Sequence, residues 1–446
     1  NSIQLRVKRL KEPALWWYEP ASMWVAYDTY TYVNAVSGSW SLGFADPAGT
    51  FTVDNATYTL STVGFNSANE AESPATNRTV IIDNTTPVGA VLSPGTPYIN
   101  AMPALSGTAY DPGRAELPEA YREGMNRVLV MVRDNTMGTY WNGSAFTTYS
   151  QSANDLLATG TLDWSTATLV NSALKDGRNY TVFAKPEDKA GNRDDDELTA
   201  PSYSVTFDTS VPNSALVSPA NLTVLRALSS VTGTAVDPSG VYTPNLKSDL
   251  ARVELQVYDE TSVKWWHSGL SAFSVISSSF NIVSGTSTWN YTNAALAVAL
   301  QSGRYYILQS RAVDRAGNAQ AGFTGGVSSI TFIWDTTPPQ SFMVQPVNGG
   351  NYKPSALTGV NPINGTASDA ALPFVSDHLN KVQMNLAYLD GPTTYYWTGA
   401  AFSSAVSSDT AWQDVIGTAT WRYPFDGDNW VSDKPYTLRV RAFDTA

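Results

Sequence analysis

Residues 174–192 read LKDGRNYTVFAKPEDKAGN, and residues 300–318 read LQSGRYYILQSRAVDRAGN. Both stretches place Leu, Gly and Tyr at i, i+3 and i+6: Leu174, Gly177 and Tyr180, then Leu300, Gly303 and Tyr306. Glycine enters a left-handed turn without steric cost, and an apolar run follows each tyrosine. The same frame holds Tyr58 and Tyr436 elsewhere. There Asn55 and Asp433 take the glycine position, and these residue types tolerate that conformation best.

Working outward, other marks recur in the same order, about 125 residues apart, as a tandem repeat requires. DNTTP (83–87), DTSVP (208–212) and DTTPP (335–339) form one set. GTAYD, GTAVD and GTASD end at Asp111, Asp237 and Asp369. WNGSAF (141–146), WHSGLSAF (266–273) and WTGAAF (397–402) form a third set, and TLDW, TSTW and TATW end at Trp164, Trp289 and Trp421. The start of the chain, IQLRVKRL, aligns with the later NRVLVMVRD, ARVELQVYD and NKVQMNLAYLD. The expected division is four units: 1–87, 88–212, 213–339 and 340–446. The first copy lacks its opening strands and the fourth its final strand, and no initiator Met or leader stands at Asn1. We therefore expect the chain to continue in both directions.

Each unit reads as short strands and turns. Val253, Leu255 and Val257 alternate with Arg252, Glu254 and Gln256, the period of a strand with one buried face. Val128, Val130 and Val132 do the same one unit earlier. Asn142-Gly143 is a type I′ hairpin signal, since both residues tolerate positive φ. Composition agrees: charged residues are only 15% and aromatics 12%, and Gly, Pro, Ser, Thr and Asn fill the gap that the low charge leaves. The fold class expected is all-β. The Leu-x-x-Gly-x-x-Tyr frame resembles the tyrosine corner of Greek-key sandwiches, whose hydroxyl bonds to backbone a few residues upstream. That gives Tyr58, Tyr180, Tyr306 and Tyr436 a structural role.

With D-x-A-G-N after the tyrosine strand and D-T-T-P-P after the last strand, the whole chain resembles tandem bacterial immunoglobulin-like repeats. Unit one departs from the pattern, with NSAN in place of DKAGN. Such repeats occur in very large surface proteins, adhesins and fibres. The resemblance implies immunoglobulin-like sandwiches arranged as a rod, an extracellular or cell-surface location, and a structural, non-catalytic function in spacing, adhesion or fibre assembly. The partner implied is the chain itself, in a fibre or surface array. The competing reading is a carbohydrate-binding or enzyme-accessory array with a glycan ligand.

In an immunoglobulin-like sandwich, the loops after the second and sixth strands share one end with the incoming linker. Three carboxylates would then meet at each boundary: Asp83, Asp111 and Asp188; Asp208, Asp237 and Asp314; Asp335, Asp369 and Asp444. Hard oxygen ligands from separate segments suit Ca²⁺, the only cofactor the sequence raises. The alternative is that each Asp caps its own turn. The run DDDE (194–197) reads as a solvated loop.

Paired aromatics, Trp16-Trp17, Trp265-Trp266 and Tyr395-Tyr396-Trp397, suit either sugar stacking or core packing, and alternation would send one of each set inward. In the second unit Leu129 and Met131 occupy the outer face where the third has Glu254 and Gln256. An apolar pair there suggests a lateral protein contact, or a local loop that covers it.

The net charge of −12 and the absence of a basic stripe argue against nucleic acid. No apolar run is long enough to span a membrane. There is no Cys, and His267 and His378 fall at non-equivalent places, which excludes a His site shared by the repeats. Asn-x-Ser/Thr sequons are no more frequent than the Ser and Thr content gives by chance.

Overall fold

A computed structural model of the chain describes residues 2–10, 14–18, 21, 23–26, 28–34, 39–43, 56–112, 124–166, 169, 171–238, 246–370, 372–373 and 378–446. Strand is 52% and helix 6%, so the fold is all-β. The chain forms two compact units, Asn1–Ser210 with Ser239–Ser248, and Val211–Pro238 with Asp249–Ala446.

The first unit opens with a sheet ordered Met23–Val25, Leu15–Tyr18, Ser2–Arg9, Ala56–Phe65, Thr76–Ile82, with Thr31–Asn34 also pairing with Ser2–Arg9. Leu5, Val7, Trp17, Ala56 and Tyr58 form its core. A sandwich follows. One layer orders Asp163–Thr166, Leu105–Tyr110, Val88–Ser93. The other orders Phe146–Thr147, Thr139–Trp141, Met125–Asp134, Arg178–Asp188, Ser202–Phe207, Tyr98–Ile99, with the final pair parallel. Chain order crosses between layers from Leu105–Tyr110 to Met125–Asp134 and again from Asp163–Thr166 to Arg178–Asp188, which is Greek-key connectivity. Leu105 and Trp164 of one layer share a core with Val128, Val130, Val132, Tyr180 and Val182 of the other.

The second unit repeats this plan. Asn213–Ser218, Val231–Val236 and Thr288–Tyr291 lie in one layer, and Leu250–Asp259, Arg304–Asp314 and Ser329–Trp334 in the other, with Thr223–Leu225 added parallel to Ser329–Trp334. Val253, Leu255 and Val257 are fully buried between the layers. A further sandwich sets Gln340–Gln345, Gly359–Ser368 and Thr420–Phe425 against Leu379–Asp390, Thr393–Trp397 and Tyr436–Asp444. These are immunoglobulin-like sandwiches.

The tyrosine spacing has a direct structural cause. Tyr180 Oη accepts from Lys175 N at 2.9 Å, Tyr306 Oη from Gln301 N at 2.8 Å, and Tyr436 Oη from Val431 N at 2.7 Å. Each hydroxyl thus satisfies an amide five residues upstream, across the left-handed turn at Gly177 (φ +76°), Gly303 (φ +80°) or Asp433 (φ +59°). Asn55 lies outside the described residues. Tyr58, Tyr180 and Tyr306 are buried, but Tyr436 is only half-buried. Among the described residues its strand pairs with Leu379–Asp390 alone, without the cover that Phe332 gives Tyr306 at 5.4 Å between rings.

Each aromatic set sends one member inward. Trp17, Trp266 and Trp397 are buried, while Trp265 and Tyr395 rest on neighbouring rings of their own sheet, Tyr258 and Tyr388.

Of the two readings of the outer apolar pair, burial fits the covering loop: Leu129 is 7% and Met131 0% accessible. Met131 packs with Phe183, Ala200 and Tyr140 under the chain's own 193–200 loop, so the surface patch that suggested a lateral contact is covered locally. The DDDE run belongs to that same loop and is largely solvated as expected, with Asp195 and Asp196 exposed, while its charges also reach neighbouring side chains. Glu197 accepts from Tyr140 Oη at 2.7 Å and pairs with Arg133 at 2.9 Å, and Asp195 pairs with Arg193 at 2.8 Å. Finally, Asn142 does not take the positive φ a type I′ turn requires. Gly143 alone does, at +93°, and Asn142 Oδ1 instead caps a wider turn by accepting from Ser144 N and Ala145 N.

Candidate metal centres

Sheet topology determines which carboxylates meet. In the first unit Asp83 follows Thr76–Ile82, Asp111 follows Leu105–Tyr110, and Asp188 ends Arg178–Asp188. One ligand oxygen from each lies within 4.8 Å of the other two. Asp83 and Asp188 are buried and Asp111 is half-buried.

Turn capping and cation binding are not exclusive here, because a carboxylate offers about four lone-pair sites over its two oxygens. Asp188 Oδ1 accepts from Ala190 N (2.8 Å) and Asn192 N (2.9 Å), while its Oδ2 takes Asn192 Nδ2 at 2.8 Å. Asp83 Oδ1 accepts from Thr85 N at 3.1 Å. These bonds orient the Asp83 and Asp188 side chains. Asn192 Nδ2 also donates to Asp83 O at 2.9 Å, tying the D-x-A-G-N loop to the linker. The sequence signalled this residue, as the last letter of a recurring motif, although its bridging role was not foreseen.

The remaining expected residues are placed as follows. Asp208 is in the first unit, buried, accepting from Ser210 N at 3.0 Å and Ser248 N at 2.7 Å. Asp237 and Asp314 are buried in the second. Asn318 donates to Asp314 through both N (2.8 Å, to Oδ1) and Nδ2 (2.8 Å, to Oδ2), repeating the Asn192 geometry.

Asp335, Asp369 and Asp444, all in the second unit, again bring one oxygen each within 4.8 Å of the others. Asp335 Oδ1 accepts from Thr337 N (2.9 Å) and Ser302 Oγ (3.1 Å), and Asp369 Oδ1 from Ala370 N (2.7 Å). Their Oδ2 atoms are buried and have no hydrogen-bond donor among the described residues. Burial pushes the Asp369 carboxyl above its ordinary range, and the neighbouring Asp335 and Asp444 add to the rise. Desolvated, mutually repelling carboxylates with unmet oxygens have the donor chemistry of a hard divalent cation site. Three carboxylate oxygens leave the rest of a calcium shell to backbone carbonyls and water.

No family model and no curated protein matches the chain. Among solved structures, a tetra-tandem repeat from the extending region of a large adhesion protein is similar over 99% of this chain and 92% of its own, at 15% identity and a TM-score of 0.27. A structure of a 1.5-MDa bacterial ice-binding adhesin is similar over 75% of this chain and 87% of its own, at 13% identity and a TM-score of 0.26. The FN1–FN3 domains of chicken CNTN1 are similar over 75% of this chain and 90% of their own, at 11% identity and a TM-score of 0.28.

Proposed function

We propose that the chain is a structural, non-catalytic segment of an extracellular or cell-surface adhesion protein, made of tandem immunoglobulin-like modules divided near residues 87, 212 and 339 and fastened by calcium. Four separate cores support the division, each drawn from one of the four spans. The observation that carries the cation reading is the convergence of Asp83, Asp111 and Asp188. It joins the linker leaving one module to two loops of the next. Bound calcium would neutralise carboxylates that repel one another. The role of these residues is to fix the linker, so that load applied to one module passes to its neighbour. Self-association in a fibre or surface array is the expected partnership.

The test is thermal unfolding of the chain with calcium and with excess chelator, alongside limited proteolysis of the 83–88 linker. Calcium is expected to raise the melting temperature and protect the linker. Identical melting and cleavage in both conditions would leave the aspartates as turn caps alone.

A further inference from the structure

The second unit has a pocket of about 340 Å³ where the strands Leu250–Asp259 and Arg304–Asp314 meet their turns. Ligand pockets run from about 300 to 1,000 Å³, so this one suits a single small ring. The strand register builds it. Asp259 pairs with Tyr306 on one side and with Lys264 across the hairpin, and residues directly opposite one another share a face of the sheet. Tyr306 is fully buried, so Asp259 and Lys264 lie at the end of the core. Phe273 closes one side of the pocket, 5.3 Å from Tyr306 between rings.

The charges in the pocket are unequal. The Asp259 carboxylate is fully engaged: it accepts from Thr261 N, Ser262 N, Ser262 Oγ and, at 2.7 Å, Arg304 Nη1. Asp134 with Arg178 and Asp390 with Lys434 repeat that ion pair, so it is part of the common framework. Lys264 has no such counterpart. The register position opposite the aspartate is Thr139 in one of the other sandwiches and Thr393 in another. Lys264 is half-buried, lines the pocket, and makes no ion pair among the described residues. It adds a positive charge to the pocket of a chain whose net charge is −12. Arg304 has five N–H donors, of which one is committed to Asp259. Ser271 and Gln301 add a hydroxyl and an amide to the lining, and Phe273 adds half-buried aromatic surface.

We propose that this pocket binds an acidic sugar, a single pyranose ring that carries a carboxylate. Lys264 takes the carboxylate, with the Arg304 guanidinium beside it. Ser271 and Gln301 take ring hydroxyls, and Phe273 packs against the C–H face of the ring. The segment then recognises a ligand as well as transmitting load. None of the clustered aspartates lines the pocket, so the site stands apart from the calcium reading.

The test is calorimetric titration of the whole chain, with calcium present, using glucuronate, glucose and acetate as probes. Glucuronate is expected to bind about tenfold or more tightly than glucose, which lacks the carboxylate, and than acetate, which lacks the ring. Lys264→Thr installs the residue that the other sandwiches carry at this register. It should weaken glucuronate by roughly 10–100-fold, the worth of a hydrogen bond to a charged group, and leave glucose unchanged. Lys264→Gln should do the same, and an unaltered melting temperature in either variant shows that it is folded. Equal affinity for glucuronate and glucose, or for glucuronate and acetate, overturns the proposal, as does unchanged glucuronate binding in both variants or no binding of any probe. A calcium effect on melting without glucuronate binding overturns the pocket and leaves the aspartate clusters intact. Glucuronate binding lost in Lys264→Thr, without any calcium effect on melting, supports the pocket and removes calcium from the clusters.

Discussion

A β-carbon placed on Gly107 would collide with the backbone carbonyl oxygen of Ala90 and lie 2.5 Å from Cζ2 of Trp164. The two residues are register partners on adjacent strands, and the indole fills the space a side chain would occupy. Its Nε1 donates to the carbonyl of Thr108 at 3.2 Å. Gly233 with Trp289, and Gly365 with Trp421, repeat the pair, with indole bonds to Thr234 O (3.2 Å) and Thr366 O (3.1 Å). The G-T-A and x-x-x-W marks are therefore two halves of one contact. Gly233→Ala is expected to destabilise its sandwich by about 1–3 kcal/mol, the usual cost of overpacking, read as a lower urea midpoint. An unchanged midpoint would mean that both the Trp289 indole and the Ala215 carbonyl give way freely.

The tyrosine corner makes a graded prediction. Tyr306→Phe removes the partner of the Gln301 amide from beside a fully buried ring, and should cost about 1–2 kcal/mol. Tyr436→Phe should cost less, because Tyr436 is half-buried and water can reach the Val431 amide. Chemical denaturation of the two variants compares them directly. Equal losses would contradict the part given to burial.

Alkaline pH should weaken the same feature. Burial pushes the Tyr180 hydroxyl up to about 12. Tyr140 also rises to about 12, through burial first and its bond to Glu197 second. An unfolded tyrosine titrates near ~10. The folded chain thus holds protons that the unfolded chain releases, so stability is intact below ~10 and falls as pH climbs toward 12. Melting temperature should drop across that window, and the drop should shrink in a Tyr140→Phe, Tyr180→Phe double variant. A pH-independent melt up to 12 would sink this assignment.

The inward faces of the strands were legible because burial between two layers admits only apolar side chains, and alternation reports it: Val253, Leu255 and Val257 are all fully buried. The outward faces were not legible. Glu254 and Gln256 are 6% and 3% accessible even though they point away from the core. Glu254 is held between Arg252 Nε and Arg311 Nε, each at 2.6 Å. Whether an outer face is covered depends on where a distant loop lies, and the strand's own sequence does not encode that. The convergence of Asp83, Asp111 and Asp188 was legible because the sandwich topology sets those loops and the linker at one end, whereas the repeat spacing alone fits turn caps equally well.

The outer face of the preceding sandwich gives a sharper case. Lys185 and Asp155 are almost wholly buried, with Nζ 3.2 Å from Oδ1 and 3.2 Å from Tyr149 Oη. Removing one partner leaves a buried charge, so Asp155→Leu should cost about 3–5 kcal/mol. Replacing both, as in Asp155→Leu with Lys185→Met, should recover most of that loss, since apolar residues of similar size often match a buried ion pair. A double-mutant cycle in urea measures the coupling. A double variant no better than the single would show that Tyr149 or Asp195 needs the lysine independently.

Asn192 separates the two jobs of the first aspartate cluster. Its side chain donates to Asp83 O and to Asp188 Oδ2 and supplies no cation ligand through that nitrogen. Asn192→Ala should therefore leave the carboxylates in place but free the linker from the loop. Asp188→Asn removes a charge from the cluster itself. A ligand at 100 times its Kd stabilises the folded state by about 2.7 kcal/mol. That increment should vanish in Asp188→Asn. It should survive, at higher calcium concentration, in Asn192→Ala, whose basal stability in chelator should be the lower of the two. Melting curves across a calcium series distinguish the outcomes. If Asn192→Ala abolishes the calcium response while Asp188→Asn preserves it, the amide and not the carboxylate governs the site, and the role given to the aspartates is wrong.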